Sequence, residues 1–164
     1  MRNQIISLLS KLFSRRDPTL SEASARDAGA IAALHSKSFR RGWSEQEVEG
    51  LLLDRHVIAH RAVLSSKFVG FILSRLVEDE AEILSVAVAR ASQGRGLAHK
   101  LLDLHLRCLA GLGARAVFLE VDEHNAPAIR LYDRAGFRQI SRRANYYQAA
   151  GGGTAAALVL KRDI

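Results

Sequence analysis

Three short stretches of this 164-residue chain carry residue types that can do chemistry. The first is Ser92-Gln93-Gly94-Arg95-Gly96-Leu97-Ala98, a turn with two glycines that runs into an apolar-periodic segment. A strand, a glycine-rich turn and a helix make an anion site. The glycines let backbone N–H groups converge, and the helix N-terminus adds positive potential. Arg95, His99 and Lys100 could add charge. The second is Glu120, a carboxylate inside the apolar run Val117-Phe118-Leu119-Glu120-Val121. Such a group is costly to bury without a partner, so it belongs at an edge, at a strand end or in a polar cleft, where it could act as a general base. The third is Asn125 with Tyr132, seven residues on, whose phenol could act as a general acid. A phenol titrates near ~10 and a thiol near ~8.5, so proton transfer to a leaving thiolate is feasible if one site holds both.

Each residue also has a plain reading. Glu120 could be a salt-bridged strand-end carboxylate, Tyr132 a core aromatic, and Asn125 a helix N-cap. The glycine turn could be an ordinary strand-to-helix connection. Two nucleotide motifs fail. His99 stands where the third glycine of a dinucleotide fingerprint belongs, and a single strand–helix–strand unit is visible. No Gly-Lys-Ser/Thr follows, as a P-loop requires. His56 and His60 are four apart in a strand-like stretch, which is not the helical pair of a zinc site, so no metal is expected. Cys108 falls on the apolar side of its helix and is expected to be a small buried hydrophobe. Arg142-Arg143 reads as a solvated edge-strand pair, or as a contact for RNA or an acidic peptide.

The surrounding pattern supplies the elements that must position these groups. Ser24 with Asp27, and Ser44 with Glu47, read as capping boxes opening two helices. Ile31, Leu34, His35 and Phe39 share one face of the first. From Val57 the period shifts: Val57–Leu64 and Lys67–Val77 form a hairpin around Ser65-Ser66, and a third strand runs from Glu80 to Arg90. The helix after the glycines carries Leu97, Leu101, Leu104, Cys108 and Leu112. Ala116–Val121 is a buried-type strand, Asn125-Ala126-Pro127 starts a helix that ends at Gly136, and two strands close the chain around Gly151-Gly152-Gly153. Antiparallel strands early, one strand–helix–strand unit and a terminal pair make an α+β architecture with helices on the faces of a mixed sheet.

Composition bounds the rest. The length suits one domain. Hydrophobic residues make up 48% and charged residues 25%, which excludes disorder and fibrous classes. The net charge of +7 points to an anionic partner without naming it. One cysteine allows no disulfide framework, and no run of about 20 apolar residues suggests a membrane span, so a cytoplasmic location is expected. Residues 1–17 hold four cations and one acid with apolar residues at helical spacing. They read as a basic amphipathic extension before a domain over 18–164. That extension could touch a membrane surface or RNA; its plainest reading is a loosely ordered tail, and no signal-peptide cleavage site follows it.

Gln93-Gly94-Arg95-Gly96-Leu97-Ala98 resembles the Q/R-x-x-G-x-G/A acetyl-CoA loop of GNAT N-acetyltransferases. Asn125 to Tyr132, closed by Ala135-Gly136-Phe137, is similar to that family's N-x-x-A-x-x-L-Y…G-F segment. Trp43-Ser44-Glu45, Leu119-Glu120-Val121 and Asn145-Tyr146-Tyr147 resemble the RimI-type ribosomal-protein-alanine N-acetyltransferases. The resemblance covers about 19–160. It implies the acyl-CoA N-acyltransferase fold, with about six to seven strands, and direct acetyl transfer from acetyl-CoA to a protein N-terminal α-amine, the alanine of a ribosomal protein. It further implies that Val86, Ala87 and Val88 pair with the pantetheine arm and that the amides of Gln93, Gly94, Arg95, Gly96, Leu97 and Ala98 hold the pyrophosphate. Asn125 would lie against the cofactor, Glu120 would be the base and Tyr132 the acid. Trp43, Tyr146 and Tyr147 would shape the peptide groove. Relatives commonly carry Phe-Pro where this chain has Arg41-Gly42, and acidic residues where it has Gly151 to Ala156. Both departures fall on the peptide side, which leaves open another amine, a lysine side chain or a small metabolite, and a non-catalytic acyl-CoA-binding module. Nucleic-acid contact is not required.

Overall fold

The shift in hydrophobic period after Asp54 marks the passage from two helices into a sheet. The computed structural model describes residues 17–148 and 151–164, so the expected extension lies outside it apart from Asp17. In chain order the elements are β1 (Thr19–Glu22), a 3-10 turn (Ala25–Asp27), α1 (Ala28–Ser38), α2 (Glu45–Leu53), β2 (Val57–Leu64), β3 (Lys67–Val77) and β4 (Glu80–Val88). A second 3-10 turn (Arg90–Ser92), α3 (Leu97–Gly111), β5 (Ala116–Asp122), α4 (Ala126–Arg134), β6 (Arg138–Gln148) and β7 (Thr154–Asp163) follow. The strands form one sheet in the order β1-β2-β3-β4-β5-β7-β6. Only β4 and β5 run parallel.

The local signals act as their chemistry requires. The Ser44 amide donates to Glu47 and the Glu47 amide to the Ser44 hydroxyl, satisfying two orphan donors at the start of α2. At Ser24 the motif opens the 3-10 turn first, with the Ser24 amide donating to Asp27. The hairpin turns on Ser65 and Ser66, both left-handed, the twist a two-residue loop demands. The third strand ends at Val88, two residues before the expected limit, because Arg90 enters the second 3-10 turn.

Two apolar layers sandwich the sheet. Phe71, Leu73 and Ala87 meet Ile31 and Val48 of α1 and α2 on one face. Ile72, Val117 and Leu119 meet Leu101, Leu102 and Leu109 of α3 on the other, together with Tyr132 and Phe137. The stripe of α3 is rotated from the expected one. Leu104 and Cys108 are half-buried and Leu112 is 55% exposed, while His105 is fully buried at its centre. Cys108 is therefore not the buried hydrophobe anticipated.

His105 is tolerated there because both its ring nitrogens are bonded: Nδ1 lies 2.7 Å from His60 Nδ1 and Nε2 lies 2.7 Å from the Ser74 hydroxyl. Burial, followed by the nearby His60, pushes its pKa down to about 3, and burial lowers that of His60 against an opposing pull from Glu22. The unfolded chain, with histidines near 6.5, therefore binds more protons than the folded one in acid. The contribution is complete above pH 6.5 and is lost as pH falls toward about 3. Acidification from pH 6.5 to 4.5 should cost about 2–3 kcal/mol through His105 alone. Denaturant melts across this range should show that slope in the wild type and a flatter one in His105→Gln. Equal slopes would contradict it.

Candidate active site

The sheet opens at one place. β4 and β5 pair through Glu80–Ala116, Ala81–Val117 and Glu82–Phe118, and no further. The cause sits in β4. Ser74 pairs with Ile83 and Leu73 with Ser85, so Leu84 is an extra residue, and such a bulge bends the strand away from its neighbour. Beyond it the β5-facing edge of β4 has no strand partner. Ala89 donates its amide to Val69 on β3. By alternation Val86 and Val88 turn their polar groups toward the gap, while Ala87 turns its own toward β3.

Just past β4 lies the glycine turn. Gly94 and Gly96 have φ of 73° and 75°, a region costly for any residue with a Cβ. Neither would meet a neighbour within 4 Å if a Cβ were added, so it is backbone conformation, not packing, that requires glycine. Gly96 caps α3, whose first turn leaves amides without intrahelical partners. The Gln93 amide is engaged by Arg90, and its side chain donates to the Val88 carbonyl at 3.0 Å, tying the turn to the end of β4. Gln93 thus holds the cradle together. Lys100 pairs with Asp17 at 3.6 Å on the surface. A groove of about 400 Å³, lined by His99, Leu106, Arg134 and Arg162 among others, opens beside the same turn of α3. Gly96→Ala should cost about 1–2 kcal/mol of stability through the left-handed backbone it must keep. Denaturant melts of the variant beside wild type would show that loss, and unchanged stability would mean the turn can relax.

Glu120 and Tyr132 flank β5 on opposite faces. Val117, Leu119 and Val121 point into the layer that holds Tyr132, and Glu120 alternates with them. The Glu120 side chain is 22% exposed and pairs with Arg143 of β6, Nη1 to Oε1 at 2.7 Å. Tyr132 is buried, edge-on to Phe137 at 5.6 Å between ring centroids. Desolvation raises its pKa well above the ordinary phenol value, so it keeps its proton. Asn125 caps α4, its side chain accepting from the Ala128 amide at 3.3 Å. After β5, Glu123 accepts both from Arg142 and from the Ala156 amide, and these contacts, the amide first, hold its carboxyl below the usual range.

Trp43, expected in the peptide groove, stacks on His35 at 4.1 Å and donates its amide to His35 Nδ1. Gly42 is required by close approach: a Cβ there would lie 2.2 Å from the Ser36 hydroxyl. Tyr146 is 52% exposed, with the Arg143 guanidinium 5.8 Å from its ring centroid. Tyr147 pairs through its backbone with Ala155; its side chain lies outside the described residues. Arg142 and Arg143 are exposed on the edge strand β6, as expected, and each is also bound to a carboxylate of the site region. Residue types alone did not show this, since the contact to Glu120 requires β7 to lie between β5 and β6.

Residues 28–137 match the acetyltransferase (GNAT) family. The chain belongs to that family. This GNAT chain is 31% identical over 134 residues to the [ribosomal protein bS18]-alanine N-acetyltransferase of Salmonella typhimurium, covering 82% of this chain and 90% of that one. Its Escherichia coli counterpart is 29% identical over the same shares. The crystal structure of the Escherichia coli ribosomal-protein-S18-alanine N-acetyltransferase superposes with a TM-score of 0.84 at 27% identity, covering 90% of this chain and 94% of that one. Arabidopsis thaliana NAA60 in complex with acetyl-CoA shares the fold, with a TM-score of 0.80 at 21% identity over 90% and 98% of the two chains. The GNAT chain is an acetyl-CoA-dependent N-acetyltransferase, and its seven-stranded mixed sheet with four helices is the acyl-CoA N-acyltransferase fold. No described helix is long and apolar enough to cross a membrane.

Proposed function

We propose that this acetyltransferase acts on the N-terminal α-amine of a protein, the alanine of a ribosomal protein. The observation that carries this is the likeness to the bS18-alanine enzymes over 82% of the chain. The site agrees with a chain terminus as acceptor. α1 and α2 pack on β2, β3 and β4, whereas Phe118, Glu120 and Asp122 on that face of β5 are only partly buried. A peptide end can therefore approach Glu120 from that side.

Acetyl-CoA supplies an activated acyl thioester. Val86 and the Val88 amide offer backbone groups to the pantetheine arm along the open edge of β4, and the amides of Gly94 to Ala98 fit the pyrophosphate. The fit rests on left-handed glycines, open space at both, and first-turn amides of α3 without intrahelical partners. Asn125 fixes the start of α4, which brings Tyr132 to the sheet. Glu120 takes a proton from the acceptor ammonium, leaving a free amine to attack the thioester carbonyl. As the carbonyl–sulfur bond breaks, Tyr132 gives its hydroxyl proton to the departing sulfur, and the second proton that the nitrogen sheds on becoming an amide restores the phenol. The two act from opposite faces of β5, and the gap beside that strand is where the two faces meet. Trp43 and Tyr146 border the peptide path.

A panel assay tests the reading: CoA release with acetyl-CoA and peptides bearing a free N-terminal alanine, peptides with a blocked N-terminus and an internal lysine, or small amines. Turnover should require the free N-terminal alanine. Turnover restricted to lysine or to small amines would overturn the substrate class. Binding of acetyl-CoA without turnover on any acceptor would overturn catalysis.

A further inference from the structure

The Glu120–Arg143 pair has a consequence for how the acceptor enters. Arg143 lies on β6, across Ala157 of β7 from Asp122, and so shares the face of Glu120. Its guanidinium crosses β7 to reach the Glu120 carboxylate at 2.7 Å. Other cations on that face have different engagements. Lys161 lies over the Phe118 ring at 5.6 Å and pairs with Asp163 at 3.0 Å. Arg142, the next residue, lies across Leu158 from Val121 on the opposite face and pairs with Glu123. Asp122, the nearest acid on the same strand, accepts from the His124 amide. Arg143 is thus the cation that meets Glu120 among the described residues.

An acceptor ammonium needs the same place. Its N–H groups must approach the Glu120 oxygens at hydrogen-bond distance before a proton can pass, and a guanidinium at 2.7 Å already occupies that position. We infer that Arg143 is a latch: it stands in for the acceptor ammonium in the free enzyme, and the incoming amine displaces it. This rests on the reading of Glu120 as the base. The Tyr146 ring lies 5.8 Å from the guanidinium while Arg143 holds Glu120, a contact that keeps the charge beside the site when the latch opens. Arg143 is 57% exposed, so it can swing without disturbing the core. The latch acts on acceptor binding and takes no part in proton transfer; Arg143 is a positioning residue.

The test compares Arg143→Met and Arg143→Gln with wild type under steady-state conditions, using an alanine-ended peptide and acetyl-CoA, beside Glu120→Gln. A partly exposed ion pair of this kind is worth a factor of about two to five in an equilibrium. The acceptor KM should therefore fall about two- to fivefold in both latch variants. kcat at saturating acceptor should move less than KM, and Arg143→Lys should restore the higher KM. A KM that rises would make Arg143 a substrate-binding residue and overturn the latch. An unchanged KM with an inactive Glu120→Gln would overturn the latch and leave the base standing. A fully active Glu120→Gln would overturn both. Melting temperatures close to wild type, expected for an exposed residue on an edge strand, keep these outcomes separable from misfolding.

Discussion

Glu120→Gln is expected to lower kcat by about 10²–10⁴-fold while CoA still binds. The substitution keeps the shape and leaves an oxygen that can accept from Arg143, but it cannot take a proton from the acceptor. Glu120 is partly exposed at 22%, and its neighbours Leu119 and Val121 are buried on the opposite face, so the fold should be little affected. Single-turnover acetylation of an alanine-ended peptide, with CoA binding followed by titration, separates the two quantities. A variant with wild-type turnover would show that the ammonium proton leaves by another route.

Tyr132→Phe should slow transfer by a similar factor, with CoA affinity within about threefold of wild type. The physical ground is its burial. A phenol whose pKa is raised by desolvation holds its proton across the working range, so it is in the donor form whenever the thiolate departs. The wild type should then show no loss of rate from Tyr132 up to pH 9, and the deficit of the variant should be the same at every pH between 6 and 9. Stability should not fall, since the hydroxyl makes no hydrogen bond among the described residues and the ring contact with Phe137 survives. A deficit that vanished at high pH would point instead to specific-base chemistry without a protein acid.

Much of this site was legible before the structure, and the reasons are local. Glycines at 94 and 96 are demanded by backbone conformation, Asn125 by a cap, and the Ser65-Ser66 hairpin by alternation on either side of a two-residue turn. Each of these signals lies within a few residues of the feature it specifies. What escaped depends on partners distant in sequence. His105 looks polar, so the expected stripe of α3 runs Leu97, Leu101, Leu104, Cys108 and Leu112; Leu97 and Leu101 are buried as expected, while the later positions give way to His105. Its burial is tolerated through His60 and Ser74, 45 and 31 residues away. Arg143 is solvated as expected, but its pairing with Glu120 was hidden because that carboxylate lies on a strand two places across the sheet. Trp43 was assigned to the peptide groove, and its stacking on His35 depends on Gly42 closing against α1, a contact that only Gly42's missing side chain permits.

The three-rung seam between β4 and β5 also bears on how the molecule breathes. β1 to β4 with the first three helices, and β5 to β7 with α4, are joined in the backbone by those rungs and by the Arg115 and Ala116 amides, which both donate to the Asp79 carbonyl. Native-state hydrogen exchange should then divide the protein into two cooperative blocks, with amides near the seam exchanging through local opening and those of β3 through global unfolding. A ligand laid between the strands spans both blocks. Acetyl-CoA should therefore slow exchange on β5 as well as on β4, and raise the melting temperature in proportion to the logarithm of its concentration above Kd. On that view the cosubstrate is also the missing stretch of sheet, and loading should stiffen a seam that the unloaded enzyme holds mainly through the core layer under α3.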